Sequence, residues 1–364
     1  MSDVTQLKKG KIVYDSLVTK YKDFMGPTFT VKIDNQEISS SQMQISSLNL
    51  TTSIERADSF TMEITGAYDF QAKAFKHSDK IKLGKEVQIL LGYVDNVVIA
   101  FYGYITNIKY EAVADDDIKI IVSGMDKTIK LMKGVKSRSF LKKKHSEIIS
   151  TLASEAGLTP KVDATSTMYE SVEQIGMSDY SFMQALAEKN NYEVFVSGNE
   201  LHFRKLHQDT SANLTLDWAE SIINFSREDD LVDQPGEITV RGWDPMKKEA
   251  VVGTCSTMTA IGSGTSGKSL LSSVVSGVKE YYYSEVKSAV DAKTLAESIY
   301  HRRAMRLVSG KITSIGIPEI RAGIYVEIKG IDTDLDHTYY IVSASHEIDE
   351  NGYVTNMTIG SNVV

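Results

Sequence analysis

Two rhythms of apolar and polar positions divide this chain. Over residues 28–126 the rhythm has period two, the signature of strands with one buried face. Phe29, Val31 and Ile33 alternate with polar neighbours, and Asp34-Asn35 turns the chain. Ile45–Thr51 and Ser59–Thr65 read as further strands, and Val87–Leu91 runs into Gly92. After a turn at Asp95-Asn96, Val97–Tyr102, Tyr104–Glu111 and Asp117–Ser123 complete a meander. Residues 67–83 are more polar and have room for a short helix. About seven strands without long helices between them predict a barrel or sandwich.

The rhythm becomes helical in the middle of the chain. Ile148, Ile149, Leu152 and Ala156 form a stripe that Ser146 can cap and Gly157 can stop. A link at 162–176 leads to the most organised stretch, Met177–Lys205. There Ser178 or Asp179 can cap a helix whose apolar face is Phe182, Met183 and Leu186, with Asn190-Asn191 as its stop. Period two then resumes. Tyr192, Val194 and Val196 alternate with Glu193, Phe195 and Ser197; Gly198-Asn199 suits a two-residue hairpin turn, and Leu201 and Phe203 lie on the return strand.

Strands return over 214–252, including Glu237–Pro245, and again over 311–359. Between them lie a Ser/Gly/Thr-rich interruption at 253–287, read as a flexible insertion, and a helix near 289–308. That helix carries Leu295, Ala296, Ile299 and Met305, with Arg302, Arg303 and Arg306 towards its C-terminal end, where cations are favoured. The resulting class is α+β, mainly β. Two similar β-barrel-like domains (26–130 and 209–364) flank a small α+β domain (131–208). Residues 1–25 form an extension expected to order only against a partner, and Gly26-Pro27 marks its boundary.

The two outer domains share a pattern. Gly84, Val87, Ile89 and Gly92 recur as Gly323, Val326, Ile328 and Gly330. Each set leads to an aromatic strand start, at Phe101–Ile105 and Tyr339–Val342, and to an acidic turn, Asp115-Asp116-Asp117 or Asp349–Gly352. Each ends on a glycine, Gly124 or Gly360, so the copies span 40 and 37 residues. Such a recurrence predicts one architecture used twice. Three such chains would place six similar units in a ring.

Composition narrows the function. The 364 residues are 42% hydrophobic and 24% charged, ordinary for a globular chain of two or three domains. No apolar run approaches the ~18 residues of a membrane-spanning helix, and MSDVTQLKKGK lacks the apolar segment of a signal peptide. Cys255 is the single cysteine, which excludes an intramolecular disulfide and fits synthesis in a reducing cytoplasm. A net charge of −8 gives no support for a general nucleic-acid binder.

One stretch carries a catalytic motif. Gly262-Ser-Gly-Thr-Ser-Gly267-Lys268-Ser269 satisfies the phosphate-loop pattern, in which backbone N–H groups cradle phosphates and the Lys and Ser serve phosphate and Mg²⁺. A nucleotide enzyme is therefore the alternative reading. Against it, no βαβ alternation flanks the loop, and Ile12–Asp15 is a poor Mg²⁺ partner strand. The seven histidines (77, 145, 202, 207, 301, 337, 346) are dispersed, with no metal-binding spacing. His202 is expected on an exposed face, and His346 and Glu347 on opposite faces of a strand. Glu228, Asp229 and Asp230 read as a solvated turn. The basic run Lys136–Lys144 reads as a solvated face or a contact to an acidic partner.

The segment SDYSFMQALAEKNNYEVFVSGNELHF (178–203) resembles the phage late control protein D family, the baseplate hubs of contractile tails, related to the hub part of VgrG-type spikes. The positions that carry the likeness are Asp179, Phe182, Leu186, Gly198, Leu201 and Phe203. Four further pieces follow the family's order. They are ADSFTMEI (57–64) with the run Phe101–Asp126, the helix HSEIISTLASEAGL, ITVRGWDP with Gly242, Trp243 and Asp244, and the closing strands with Gly323, Val326, Gly352 and Tyr353. The resemblance covers most of the chain and leaves 253–287 unplaced. It implies a non-enzymatic homotrimer without cofactors that adapts a six-fold tail tube to a three-fold spike. The implied partners are the tube protein, a spike, and tape-measure and wedge proteins, with no direct nucleic-acid contact and no membrane insertion. VgrG-type chains continue into an oligonucleotide-fold domain and a spike. This sequence ends at Val364, so the spike is expected to be a separate polypeptide. Synthesis in the bacterial cytoplasm and assembly into a virion, prophage-derived or bacteriocin-like particle follow from the same resemblance.

Overall fold

The computed structural model describes residues 3–7, 10–38, 44–76, 79–112 and 118–364. Asp115-Asp116-Asp117 and His77 lie outside the described residues. The chain opens with a short helix, α1 (Tyr14–Lys20). Leu17 and, just beyond it, Tyr21 are buried in the main core. The described part of the 1–25 extension is thus ordered against its own chain, contrary to expectation, because its apolar side chains find that core rather than a partner.

The first half follows as β1 (Pro27–Ile33), β2 (Gln36–Ile38), β3 (Gln44–Ser53), β4 (Ser59–Thr65), the two-residue pair β5 (Tyr68–Asp69) and β6 (Ala74–Phe75), β7 (Glu86–Tyr93), β8 (Asn96–Glu111) and β9 (Lys119–Asp126). The described residues of 67–83 contain this small pair instead of the expected helix, with Tyr68 packed on Phe70 and Phe75. The two strands expected at 97–102 and 104–111 are one strand, β8, in which Gly103 pairs with Val87 and Asp126 and the register with β9 shifts between Ile105 and Asn107.

The middle module holds α2 (Ile129–Met132), β10 (Lys136–Lys144), α3 (His145–Glu155), β11 (Thr159–Val162), β12 (Met168–Met177), α4 (Asp179–Asn190), β13 (Tyr192–Ser197) and β14 (Glu200–Lys205). The basic run is a strand, and the expected link contains its antiparallel partner, β12. Ser178 caps α4 by accepting from the Ser181 N–H, and Asn191 ends it in the left-handed conformation at φ 56°. The hairpin turns at Gly198, φ +60°. All six residues of β13 are buried, so its alternation separates two covered faces, not a core face and a solvent face. His202 is likewise only 8% exposed, with its ring stacked on Phe195.

The last part comprises β15 (Leu214–Asp217), β16 (Ile222–Asp229), β17 (Glu237–Asp244), β18 (Glu249–Cys255), α5 (Gly267–Val274), β19 (Lys279–Tyr283), α6 (Ala289–Ala304), β20 (Val308–Ile315), β21 (Tyr325–Lys329), β22 (Thr338–Asp349) and β23 (Gly352–Ser361). Much of the interruption at 253–287 is structured. β18 and β19 flank β17 in a three-stranded sheet, and α5 stands between them in sequence. α6 packs on that sheet through Ala292, Ala296, Tyr300 and Ala304, together with Ile238, Val240 and Cys255. Small residues allow the close approach. A Cβ on Gly253 would lie 2.1 Å from the Lys293 backbone nitrogen.

The first half runs β2-β1-β7-β8-β9-β4-β3 across its sheet, and the last part runs β15-β21-β22-β23-β20-β16. The repeated glycine pattern therefore marks equivalent meanders, β7-β8-β9-β4 and β21-β22-β23-β20. They are not two closed barrels. β3 pairs with β22 from Leu48↔Ile348 to Ser53↔Ser343, giving one open 13-stranded sheet that branches at β22 and ends at β2, β16 and β15. One hydrophobic core spans the seam, from Leu48, Leu50, Phe60 and Ile89 to Val326, Ile341 and Ile359. Burying both halves against one another removes two sheet edges that would otherwise be exposed.

Candidate functional site

The face of the large sheet turned away from this core is distinctive. Asn224, Thr313, Asn356, Ser345 and Thr51 lie in register across β16, β20, β23, β22 and β3. A second file runs Glu347, Asn49, Thr61, Ser123 and Asn107 across β22, β3, β4, β9 and β8. Side chains bond along these files. Thr313 donates to Asn356 at 2.7 Å, Asn49 Nδ2 to Glu347 at 3.2 Å, and Thr61 and Ser123 share a 3.1 Å bond. The result is a belt of short, mostly uncharged side chains that crosses the seam, with a shallow cleft of about 380 Å³ at its β16–β22 end. Of its neighbours, Glu63 is paired with Lys119 at 3.1 Å. Hydroxyl and amide groups this short offer hydration without strong charge.

A second exposed surface is aromatic. On the side of β17–β19 opposite α6, Trp243 is 54% exposed, Tyr281 51% and Tyr283 80%, and the Arg241 guanidinium lies 4.8 Å from the Tyr281 ring centre. Trp, Tyr and Arg are the residues most enriched in binding hot spots. Leu141, Ile175 and Met168 are exposed on the β10–β12 ribbon. Its inner side is tied down instead. Asp179 is 4% exposed and receives Lys136 at 2.5 Å and Arg138 at 2.9 Å.

The phosphate-loop motif is built differently from a nucleotide site. No strand runs directly into it; β18 ends at Cys255 and pairs antiparallel with β17. The Thr265 N–H donates to the Val364 carbonyl at 2.8 Å, and the Ser269 N–H to the Ser266 side chain at 3.3 Å. A Cβ on Gly264 would lie 2.3 Å from the Val364 carbonyl oxygen. Gly262 sits against His337, and Gly267 against Gln234. Gly264 thus lets the loop lie against Val363 and Val364, Gly262 and Gly267 make room for His337 and Gln234, and Lys268 and Ser269 lie in the first turn of a capped helix.

The remaining signature residues sit in packing and turn positions. Phe182, Leu186, Leu201 and Phe203 form the middle core, and Val326 belongs to the main core. Gly242 lets Val286 approach β17, and Asp244 accepts from the Met246 and Lys247 N–H groups in the following turn. Gly323 has φ +88° and offers its carbonyl to Arg204 at 2.6 Å. Gly352 turns the β22–β23 hairpin, and the Tyr353 hydroxyl meets His346 Nδ1 at 2.8 Å. His346 is buried and Glu347 exposed, as their opposite facing predicts.

Sequence reasoning missed the buried polar groups that join the three parts. Glu193 accepts from Arg204 at 2.5 Å and from Tyr340 at 2.6 Å, and His207 meets Tyr325 at 2.6 Å. Asp58, Asp126 and Arg321 form another such cluster, in which Arg321 lies 3.2 Å from Asp58. Asp126 closes the Phe101–Asp126 signature, which was the available signal. Arg321 and Glu193 carried none. Among the described residues no group of three or more His, Cys, Asp or Glu is placed to hold a metal ion.

The architecture is that of phage tail proteins. The 43 kDa tail protein of prophage MuSo2 from Shewanella oneidensis matches with a TM-score of 0.70 and 16% identity, covering 92% of this chain and 98% of that one. A tail protein from Neisseria meningitidis matches at 0.67 and 13%, covering 92% and 96%. A type VI secretion system component from E. coli, described as structurally similar to bacteriophage T4 tail proteins, matches at 0.60 and 11%, covering 90% and 76%. At these identities the likeness is one of fold. By sequence, residues 25–350 match the family described as the Alg8 N-terminal domain, and the chain belongs to that family. No curated protein sequence matches it.

Proposed function

We propose that this chain is the structural hub of a contractile-tail or injection-system baseplate, working as a homotrimer between a six-fold tube and a three-fold spike. The observation that carries this reading is the repeated meander. β7-β8-β9-β4 and β21-β22-β23-β20 have the same pairing order and stand side by side in one sheet. A duplicated unit gives each chain two similar faces, so three chains present six to a hexagonal partner and three whole chains to a trigonal one. In this arrangement the polar belt faces the aqueous passage, and the aromatic face of β17–β19 meets neighbouring baseplate proteins. The tube, a separate spike, the tape measure and wedge proteins are the proposed partners. The role is mechanical and non-enzymatic.

The test is native mass determination of the purified chain, followed by reconstruction of particles that contain it. Three copies in a ring, with the belt inside, are expected. Particles holding one copy, or a ring with the belt on its outer wall, would overturn the proposal.

A further inference from the structure

The N-terminal segment crosses all three parts of the molecule. The Val4 N–H donates to the Ile99 carbonyl of β8 at 3.0 Å, and the Ile12 N–H to the Asn213 carbonyl beside β15 at 2.6 Å. Between them, Thr5 is 3% exposed and sits on the turn of the middle hairpin. A Cβ on Gly198 would lie 2.3 Å from the Thr5 hydroxyl oxygen, so the turn glycine also makes room for this crossing. Asp3 fixes the local shape by accepting from the Thr5 N–H at 2.9 Å.

The Thr5 carbonyl is held from below by the Ser197 hydroxyl and by Arg321 Nη1, the latter at 3.3 Å. Arg321 also donates to Ser197, and its other terminal nitrogen donates to Asp58 at 3.2 Å. Asp58 in turn holds the Ser53 N–H at 2.9 Å and donates its own N–H to Asp126 at 3.3 Å. One buried guanidinium therefore holds the crossing strand and the Asp58 carboxyl group together, and Asp126 stands behind Asp58, bonded to its N–H. Among the described residues neither Arg321 Nε nor the Tyr180 hydroxyl finds a hydrogen-bond partner.

We propose that residues 3–7 form a clasp that holds the middle module to the large sheet, with Arg321 as its catch and the charge on Asp58 and Asp126 setting how tightly the catch holds. With one carboxyl protonated, the single guanidinium balances the single carboxylate and can still serve Thr5. With both ionised, the cluster carries a buried excess negative charge, and Arg321 is drawn towards the carboxylates. Burial first, and then the neighbouring Asp58, push the Asp126 carboxyl up from its ordinary range. Burial does the same to Asp58, opposed by Arg321. The surrounding groups are Asp3 on the clasp, Tyr180 on α4, His202 and Arg204 on β14 and His346 on β22. His202 and His346 are held neutral by burial and add no compensating charge near neutral pH. The clasp loosens as pH rises. Its contacts lie within one chain, so it operates whatever the oligomeric state.

Hydrogen–deuterium exchange on the full chain, corrected for intrinsic rates, tests this at about pH 5.5 and about pH 8.5. Protection of the Val4 and Thr5 amides is expected to fall on the order of tenfold at the higher pH, the equivalent of one pKa unit of coupling. The Ile12 amide should hold. Asp126→Asn should abolish the difference, and Asp58→Asn serves the same purpose if that variant fails to fold. Equal protection at both pH values, loss at Ile12 in parallel with Thr5, or an unchanged drop in the foldable variant would each overturn the proposal.

Discussion

Arg204 and Glu193 face each other across the middle hairpin, and their ion pair is completed from the far end of the chain. Arg204 Nε donates to Glu193 at 2.5 Å, and the Tyr340 hydroxyl donates to the other carboxylate oxygen at 2.6 Å. Glu193 is 8% exposed. The pair therefore serves as a joint between the middle module and β22. Removing one member strands the other charge in a dry site. Arg204→Met is expected to destabilise the fold by about 3–5 kcal/mol. Tyr340→Phe, which removes the bond donated to Glu193 and the longer 3.4 Å bond accepted from Arg204, should cost about 1.5–3 kcal/mol. Chemical denaturation of both variants and the double variant measures the joint. Additive effects would show that the two contacts act independently.

The helix face of the middle module makes a simpler prediction. Phe182 is 3% exposed and Leu186 1%, both inside the cluster with Leu201 and Phe203. Phe182→Ala should cost about 3–5 kcal/mol and Leu186→Ala about 2–5 kcal/mol. An unchanged melting curve for either would mean that α4 does not pack as described.

The seam predicts cooperativity. Leu50 is fully buried and sits opposite His346 in the β3–β22 pair. Because one core spans both halves, Leu50→Ala should lower a single shared unfolding transition, by about 2–5 kcal/mol. Calorimetry that resolves separate transitions for residues 27–126 and 308–361 would contradict a common core.

What could be read in advance depended on how local its cause was. α4 and its hairpin were legible because a cap at Ser178, an apolar stripe and a stop at Asn191 all lie within one short stretch. The repeated Gly-Val-Ile pattern identified equivalent strands, but strand periodicity does not say what a sheet edge pairs with. The β3–β22 seam was therefore invisible: the mainly β class and the two similar barrel-like units are present, but the units are not closed and share one sheet. His202 was misplaced for the same reason, since its polar side chain does not reveal that a second layer covers the hairpin. The 253–287 stretch looked unstructured by composition, yet Tyr282 and the small residues of α6 give it a core to join. The joints through Arg204 and Arg321 depend on partners more than 100 residues away, and no local spacing encodes them.

The phosphate-loop motif predicts an absence of effect. Lys268 stands at the start of α5, whose cap is the Ser266 side chain. Lys268→Ala should leave folding and particle assembly intact, whereas Ser266→Ala should cost about 1 kcal/mol through the lost cap. Thermal melts with and without Mg²⁺–ATP or Mg²⁺–GTP should superpose. A nucleotide-dependent rise that Lys268→Ala removes would restore the enzyme reading.

Acid should destabilise this protein through its buried histidines. His346 is 2% exposed; its Nε2 meets the Ile320 carbonyl at 2.8 Å and its Nδ1 meets the Tyr353 hydroxyl at 2.8 Å. That pattern suits a neutral ring that donates through Nε2 and accepts through Nδ1, so a second proton would displace the Tyr353 hydrogen bond. Burial accordingly holds the His346 pKa down at about 4, and those of His207 and His145 also at about 4. In the unfolded chain each lies near 6.5. Because the folded pKa is depressed, the unfolded state takes up protons first, and stability present above about pH 6.5 is lost as pH falls towards 4. For His346 the loss is at most about 3 kcal/mol over that window. Asp58 and Asp126, with raised pKa values, act in the opposite direction. His346→Gln removes one titrating group, so its stability should fall less steeply than that of the parent chain between about pH 6.5 and 4. Parallel curves from urea titrations across that range would show that His346 is not held neutral by the fold.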